Sequence, residues 1–225
     1  CGFTVQNGIA TKGVNEDPRI GVHWSGAGIT VLSGTSPTIK YCIISNNNGS
    51  GIRIAKKWNE TSTVSAIIDN CLISNNNVIY DQNDSRGATV SMGGAIALDY
   101  NGYTGSSGDD PTAIVYIINS KIFGNTLMSG ASGGGIYAYK SEFSIKNTII
   151  YDNSGAGIII QDEVPGTQEI VNCTIVDNSN KGIWAHAANS QPGTSNPVVK
   201  NSIIWGNSES VYTSSISTDV TYSNI

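Results

Sequence analysis

The stretch that decides the fold runs from Ile145 to Ile160 and reads IKNTIIYDNSGAGIII. Its pattern returns six times along the chain, beginning at Ile39 (IKYCIISNNNGSGIRI), Ile68 (IDNCLISNNN), Ile117 (IINSKIFGN), Ile170 (IVNCTIVDNSNKGIWA), Val199 (VKNSIIWGN) and Val220 (VTYSNI). A repeat of this length is typical of a solenoid, in which each copy is one structural unit that stacks on the next.

Aligning the copies gives columns with constant chemistry. The first column is aliphatic, and two residues later comes an anchor that is Asn in five copies and Tyr in two. A small residue follows the anchor, in the order Cys42, Cys71, Ser120, Thr148, Cys173, Ser202 and Ser223. Two residues further on, every copy has Ile, and the six longer copies then share Asn47, Asn76, Asn125, Asn153, Asn178 and Asn207. A Gly-Ile-x-aliphatic segment such as Gly157 to Ile160 completes the copy.

The spacing of these columns predicts three short strands and three bends per copy. Side chains on one face of a strand recur with period two. The step of three from the first column to the small column breaks that period, so the chain bends at the anchor. The second Asn marks another bend, and stacked Asn side chains can bond to each other as ladders. The sequence therefore predicts an all-β fold, a parallel β-helix of about seven three-strand rungs with Asn ladders at the bends.

These features resemble the right-handed parallel β-helix proteins of the pectin-lyase-like superfamily. The matching residues are the Gly-Ile-x-Ile strand, the Ile-x-Asn bend and the second Asn, and the resemblance covers nearly the whole chain. It implies a substrate groove along the outer face of the Gly-Ile-x-aliphatic strand. Because this fold carries lyases, hydrolases, adhesins and structural proteins, the fold does not settle the function.

Composition narrows the function classes. Only 13% of the 225 residues are charged and the net charge is -5, which argues against nucleic acid as a partner. No apolar run is long enough to span a membrane. We expect a secreted or cell-surface module with a structural or binding role, facing a polysaccharide or a cell-surface glycan. The alternative is a polysaccharide lyase or glycoside hydrolase that acts on an acidic polysaccharide.

Candidate site residues lie on the outer face of the Gly-Ile-x-aliphatic strand and in its loops. A lyase needs a group that neutralises a uronate carboxylate and a base beside it, and the candidates on successive rungs are Arg53, Asp99 and Tyr139. Candidate substrate-binding residues are Trp58, Tyr137, Lys140, Trp184 and His186. A second aromatic stripe, Phe123, Tyr151 and Trp205, is expected on another face. Aromatic rings stack on sugars but also cover a neighbouring domain or subunit.

No zinc spacing, phosphate loop or nucleophile elbow occurs, so we expect neither a metal nor a cofactor. The segment Asp81 to Ser85 has some features of a calcium loop, but its glycine comes late and Met92 stands where a bidentate Glu would be needed. Cys42 and Cys71 lie on adjacent rungs, near enough for a disulfide. The other interpretation is that both are small buried residues.

Residues 1–225 are expected to form one β-helix domain without its own end caps. The first copy begins partway through a rung and the last stops at the invariant Ile column. A bare rung presents unpaired backbone groups to another chain. Flanking rungs of a longer parent chain or end-to-end stacking of copies would cover such ends.

Overall fold

The computed structural model describes residues 2–9, 12–13, 23–24, 28–57, 62–78, 93–101, 113–127, 133–161, 166–187, 196–214 and 217–225. Within these ranges the regular structure is all strand, and no helix there is long and apolar enough to cross a membrane. Three parallel sheets of seven strands each wrap around one core as a right-handed parallel β-helix. The fold predicted from the repeat is therefore confirmed, including its number of rungs.

Each strand of the repeat contributes to its own sheet. Sheet 1 contains β5 (Thr38–Lys40), β8 (Val64–Asp69), β12 (Ala113–Ile118), β16 (Glu142–Lys146), β19 (Gln168–Val171), β22 (Val198–Lys200) and β25 (Asp219–Thr221). Sheet 2 contains β1 (Thr4–Gln6), β6 (Ile43–Ser45), β9 (Leu72–Ser74), β13 (Lys121–Phe123), β17 (Ile149–Tyr151), β20 (Thr174–Val176) and β23 (Ile203–Trp205). Sheet 3 contains β4 (Ile29–Leu32), β7 (Ile52–Lys57), β11 (Ile96–Asn101), β15 (Gly133–Tyr139), β18 (Ala156–Gln161), β21 (Lys181–His186) and β24 (Glu209–Ser214).

Two short pairs of strands accompany the three sheets. A parallel pair joins β10 (Asn77–Val78) to β14 (Thr126–Leu127), and an antiparallel pair joins β2 (Lys12–Gly13) to β3 (His23–Trp24). At the two ends of the stack, β1 pairs with β6 and β25 pairs with β22. These pairings lie within one chain, so the end-to-end association of copies stays a prediction.

The register places equivalent residues of successive copies side by side. In sheet 1, Ile117 pairs with both Ile68 and Ile145, and in sheet 2, Ile150 pairs with both Ile122 and Ile175. These aliphatic columns belong to one continuous buried cluster. Because a single rung cannot bury its aliphatic side chains alone, the stacking itself creates the core.

The bends have the left-handed backbone that the repeat requires. Every anchor has a positive φ, from 49° to 56°, and Tyr41 and Tyr222 adopt it as the Asn anchors do. At the second bend the left-handed residue is the one before the conserved Asn. This position is held by Asn7, Asn46, Asn75, Gly124, Asp152, Asp177 and Gly206. Asp152 and Asp177 are therefore bend residues.

The conserved Asn of the second bend points inward and forms a continuous ladder. Each Nδ2 donates to the Oδ1 of the next rung at 2.8 to 3.0 Å, from Asn47 through Asn76, Asn125, Asn153 and Asn178 to Asn207. The backbone N–H of each Asn from 47 to 178 donates to that same Oδ1. Buried amides thus satisfy one another, which their burial requires.

The small-residue column forms a second polar row. The backbone N–H of Cys71 donates to Ser120 Oγ at 3.2 Å, and that of Cys173 donates to Ser202 Oγ at 3.1 Å. Cys42, Cys71 and Cys173 are buried and free. No disulfide therefore joins Cys42 to Cys71, and both are small buried residues of this row.

Candidate functional site

The outer face of sheet 3 carries two columns of side chains. We call the first the ring column: Thr30, Arg53, Ala97, Tyr137, Ile159, Trp184 and Tyr212, which pair in register from rung to rung. Two residues further along each strand lies a second column, which we call the polar column for its members Tyr139, Gln161, His186 and Ser214. The alternation predicted for this strand is confirmed by the inward Ile52, Ile54 and their equivalents in the core.

The middle rungs of this face are not open to solvent, contrary to expectation. Arg53 is 3% exposed and Tyr137 is 6% exposed, while Ala97 and Ile159 are fully buried. Tyr137, Ala156 and Ile159 form a small hydrophobic cluster of their own, with Tyr139 and Trp184 packed against it. The period of a strand assigns a side chain to a face, but it does not reveal what packs on that face.

The three candidate catalytic residues lie on successive strands but not in one column. Arg53 on β7 pairs with Ala97, whereas Asp99 on β11 pairs with Ala55. Tyr139 ends β15, one strand further, in the polar column. The backbone thus separates Arg53 from Tyr139 by two rungs, or ~10 Å. The Asp99 side chain and all of Trp58 lie outside the described residues.

Three of the proposed substrate-binding residues, Tyr137, Trp184 and His186, lie near one another at the later rungs. Lys140 has a left-handed backbone with φ of 43°, so it occupies a bend and not the strand face. Trp184 and His186 face outward from β21, with ring centroids 4.8 Å apart. Tyr212 on the next rung meets Trp184 edge to face, at 6.4 Å between centroids. The Tyr137 hydroxyl lies beside them and donates to Gln161 Oε1 at 2.8 Å.

Lys181 completes this group and was missed from the sequence. Its Nζ lies 4.8 Å from the centroid of the Trp184 ring and 4.7 Å from that of Tyr212. A cation placed over two aromatic faces is attracted by their quadrupoles. The sequence feature that points to Lys181 is its position three residues before Trp184, on the strand that carries the aromatic residues.

The indole N–H of Trp184 has no hydrogen-bond partner among the residues that the structure describes. Its Nε1 is buried although the side chain as a whole is partly exposed. An unpaired buried donor costs roughly 1 to 3 kcal/mol. Such an atom is a marker for a ligand or ordered water that supplies an acceptor.

Within the described ranges, no group of three His, Cys, Asp or Glu side chains is placed to hold an ion. The calcium-loop candidate Asp81 to Ser85 lies outside these ranges, so that hypothesis stays untested.

A family model described as "Right handed beta helix region" matches residues 19–192. A comparison with curated proteins gave no match, and neither did a comparison with solved structures.

Proposed function

The chain belongs to the right-handed β-helix family, and from this premise we propose that it is a glycan-binding module of the cell surface or extracellular space. The proposed binding surface is the later part of the ring column together with the polar column beside it. The observation that carries the proposal is the juxtaposition of Trp184, Tyr212 and Lys181 on two neighbouring rungs.

Aromatic rings on adjacent rungs suit a linear sugar chain. Neighbouring strands are ~4.8 Å apart, so Trp184 and Tyr212 offer consecutive contacts along the helix axis. The apolar faces of sugar rings pack on aromatic side chains, while their hydroxyl groups need hydrogen-bond partners. Gln161, His186 and Ser214 of the polar column stand next to the rings and supply such groups.

Trp184, Tyr212 and Lys181 contribute to binding in different ways. Tyr212 is 38% exposed and Trp184 is partly exposed, so both rings are within reach of a ligand. The unpartnered Trp184 Nε1 gains an acceptor when a ligand oxygen comes close after a small shift of the covering atoms. Lys181 contributes a positive charge in a chain of net charge -5, which gives this surface a preference for anionic sugars.

The burial of Arg53 favours a binding role over a lyase. A lyase must bring its cation to the carboxylate of a bound uronate, and Arg53 is 3% exposed. The cation and the base of a lyase must also reach one uronate ring, and two rungs, or ~10 Å of backbone, separate Arg53 from Tyr139.

The test is binding and turnover on the same panel of neutral and acidic polysaccharides. We expect affinity electrophoresis and calorimetry to detect binding, with Trp184→Ala weakening it at least tenfold, equivalent to about 1.4 kcal/mol. Lys181→Met should weaken binding of acidic members more than of neutral ones. The matched control is Trp205→Ala, which removes a 65% exposed Trp from sheet 2 and should change nothing.

Turnover is followed by the ultraviolet absorbance of unsaturated products and by reducing ends. Turnover that Arg53→Ala or Tyr139→Phe abolishes would replace the binding role by that of a lyase. Failure of every polysaccharide to bind, with the folded state verified, would refute the proposal.

A further inference from the structure

A second concave surface lies on the outer face of sheet 1, away from the ring column. It is a groove of about 190 Å³ between the rungs of β12, β16 and β19. Its shape follows from one small residue, since Ser144 stands in register between Tyr116 on one side and Glu169 on the other. The volume corresponds to roughly six water molecules, which is the size of one small ring compound.

One wall of the groove is an exposed aromatic ring. Tyr116 is 45% exposed, and Ile114 lies two residues before it on the same outward face. A ring with this exposure offers a flat apolar surface to a ligand. The neighbouring Ile67, 40% exposed on the previous rung, extends the apolar side beyond the groove.

Two carboxylates line the rest of the groove, Glu142 on the rung of Ser144 and Glu169 on the next rung. The Glu169 carboxylate is held through Oε1, which contacts Lys146 Nζ at 2.6 Å and accepts the Ser144 hydroxyl at 2.6 Å. Its Oε2 takes part in neither contact. The hydrogen bonds from Lys146 and Ser144 hold the pKa of Glu169 below its usual value, so the group is ionised at neutral pH.

The second carboxylate belongs to Glu142, which lines the groove on the rung of Ser144. Its side chain lies against Gly166, where an added Cβ would come within 2.2 Å of Glu142 Cδ. Gly166 has φ of 146°, a conformation that other residues rarely adopt. The absence of a side chain at 166 therefore leaves room for Glu142 in this position.

The balance of charge around the groove decides which ligand fits. Among the described residues around the groove, the carboxylates of Glu142 and Glu169 are offset by the ammonium groups of Lys146 and Lys200, both of which act on Glu169. A cationic ligand would compete with these lysines, and an anionic ligand would meet the carboxylates. Hydroxyl groups, in contrast, donate well to ionised carboxylates without any change in net charge.

We propose that this groove binds a single uncharged sugar ring, with its apolar face on Tyr116 and its hydroxyl groups donating to Glu142 and Glu169. The hydroxyl of Thr167, which also lines the groove, supplies a further polar contact. The site shares no residue with the ring column and does not depend on the function proposed for it. For a ligand of about 12 heavy atoms, an affinity on the order of millimolar is expected.

The test is a titration of the isotopically labelled chain with methyl glycosides of glucose, galactose and mannose, followed by amide NMR. We expect at least one of them to shift the amides of Ser144, Thr167 and Glu169. Glucuronate and glucosamine serve as the anionic and cationic counterparts, and we expect weaker shifts from both. Trp184→Ala should leave the titration unchanged, which separates this site from the ring column.

Variants assign the binding to the groove. Tyr116→Ala should abolish the shifts and Tyr116→Phe should retain them, because the ring and not the hydroxyl makes the contact. Glu142→Gln should weaken binding at least threefold. Tyr151→Ala, the removal of an outward Tyr from sheet 2, is the control and should have no effect. The proposal is overturned if no neutral glycoside shifts the groove amides, if a charged sugar binds more tightly, or if folded Tyr116→Ala binds as the wild type does.

Discussion

The Nδ2 of Asn153 donates to the Oδ1 of Asn178 at 2.9 Å, and each of these residues is 1% exposed. The same relationship links the neighbouring rungs, so each internal amide is both donor and acceptor within the ladder. In a low-dielectric interior such a chain of hydrogen bonds is strong when complete and costly when broken. The ladder therefore fixes the register of the rungs more strictly than aliphatic side chains can.

Replacing Asn153 by Leu is expected to destabilise the protein by about 3 kcal/mol or more. The substitution removes the acceptor of the Asn125 backbone N–H, one acceptor of Asn125 Nδ2, one of the two donors to Asn178 Oδ1 and the donor to the Ile122 carbonyl oxygen. Each buried group that loses its partner costs roughly 1 to 3 kcal/mol. Denaturant unfolding monitored by circular dichroism measures the change.

The control for this substitution is Asn147→Gly in the exposed amide row at the first bend. Asn147 donates to Asn119 Oδ1 at 3.2 Å in contact with solvent, and its φ of 51° is one that glycine adopts readily. We expect a change of about 0.5 kcal/mol. Equal effects of the two substitutions would mean that burial of the ladder does not determine its strength.

The fold was predictable because its determinants repeat in the sequence. The Ile column that contains Ile150, the anchor Asn147 and the ladder residue Asn153 recur in nearly every copy, and their spacing alone assigns strands and bends. The sequence does not show which of the two residues at the second bend has the left-handed backbone. In the structure it is Asp152, while Asn153 points inward and joins the ladder.

The candidate sites were less predictable because they depend on contacts between copies. The burial of Arg53 and Tyr137 follows from packing on an outer face, which strand period does not report. The groove at Ser144 arises only when Tyr116 and Glu169, 28 and 25 residues away, are brought into register. The sequence feature that points to this groove is Ser144, a small residue between two large ones in the aligned column.

Asp69 provides a prediction about pH. Lys40 Nζ lies 2.8 Å from its Oδ2, and Asn119 Nδ2 donates to its Oδ1 at 3.1 Å. These contacts, Lys40 first, hold the pKa of Asp69 below the ordinary value of 3.8. We expect Lys40→Met to raise this pKa, as measured by carboxyl NMR titration. Lys121→Met, a change on sheet 2, is the control and should leave the pKa as it was.

The sign of the effect on stability follows from the lowered pKa. The carboxylate contact stabilises the folded state above pH 3.8, and this contribution is lost as the pH falls through the pKa of folded Asp69. The Lys40→Met variant should therefore differ from the wild type at neutral pH and converge with it in acid. Because both side chains contact solvent, added salt should reduce the difference. A difference that grows in acid would contradict this account.

Cys173 should behave as a buried thiol. Burial raises its pKa to about 11 from 9.0, so it stays protonated at neutral pH. Since unfolded thiols ionise at about 9, stability should decline between pH 9 and about 11 through this group.

In a Cys1→Ser background we expect almost no reaction of the folded chain with a thiol reagent and three equivalents after denaturation. Cys173→Ser should flatten the alkaline decline, and rapid labelling of the folded chain would rule out this description.

Gly135 shows how close successive rungs approach. A Cβ at this position would lie 2.1 Å from the carbonyl oxygen of Gly157 on the next rung, and backbone cannot move aside as a flexible side chain does. We expect Gly135→Ala to destabilise the protein by about 2 kcal/mol or more, as in overpacked cores. The control is Gly124→Asn. Its Cβ would come closest to the Asn75 side-chain oxygen, at 2.6 Å, which is the end of a flexible side chain, and Asn75 has the same left-handed backbone in this column. Thermal unfolding should separate the two variants clearly, with the control within about 0.5 kcal/mol of the wild type. If Gly135→Ala is tolerated as well as Gly124→Asn, the rungs of sheet 3 can separate locally without loss of the stack.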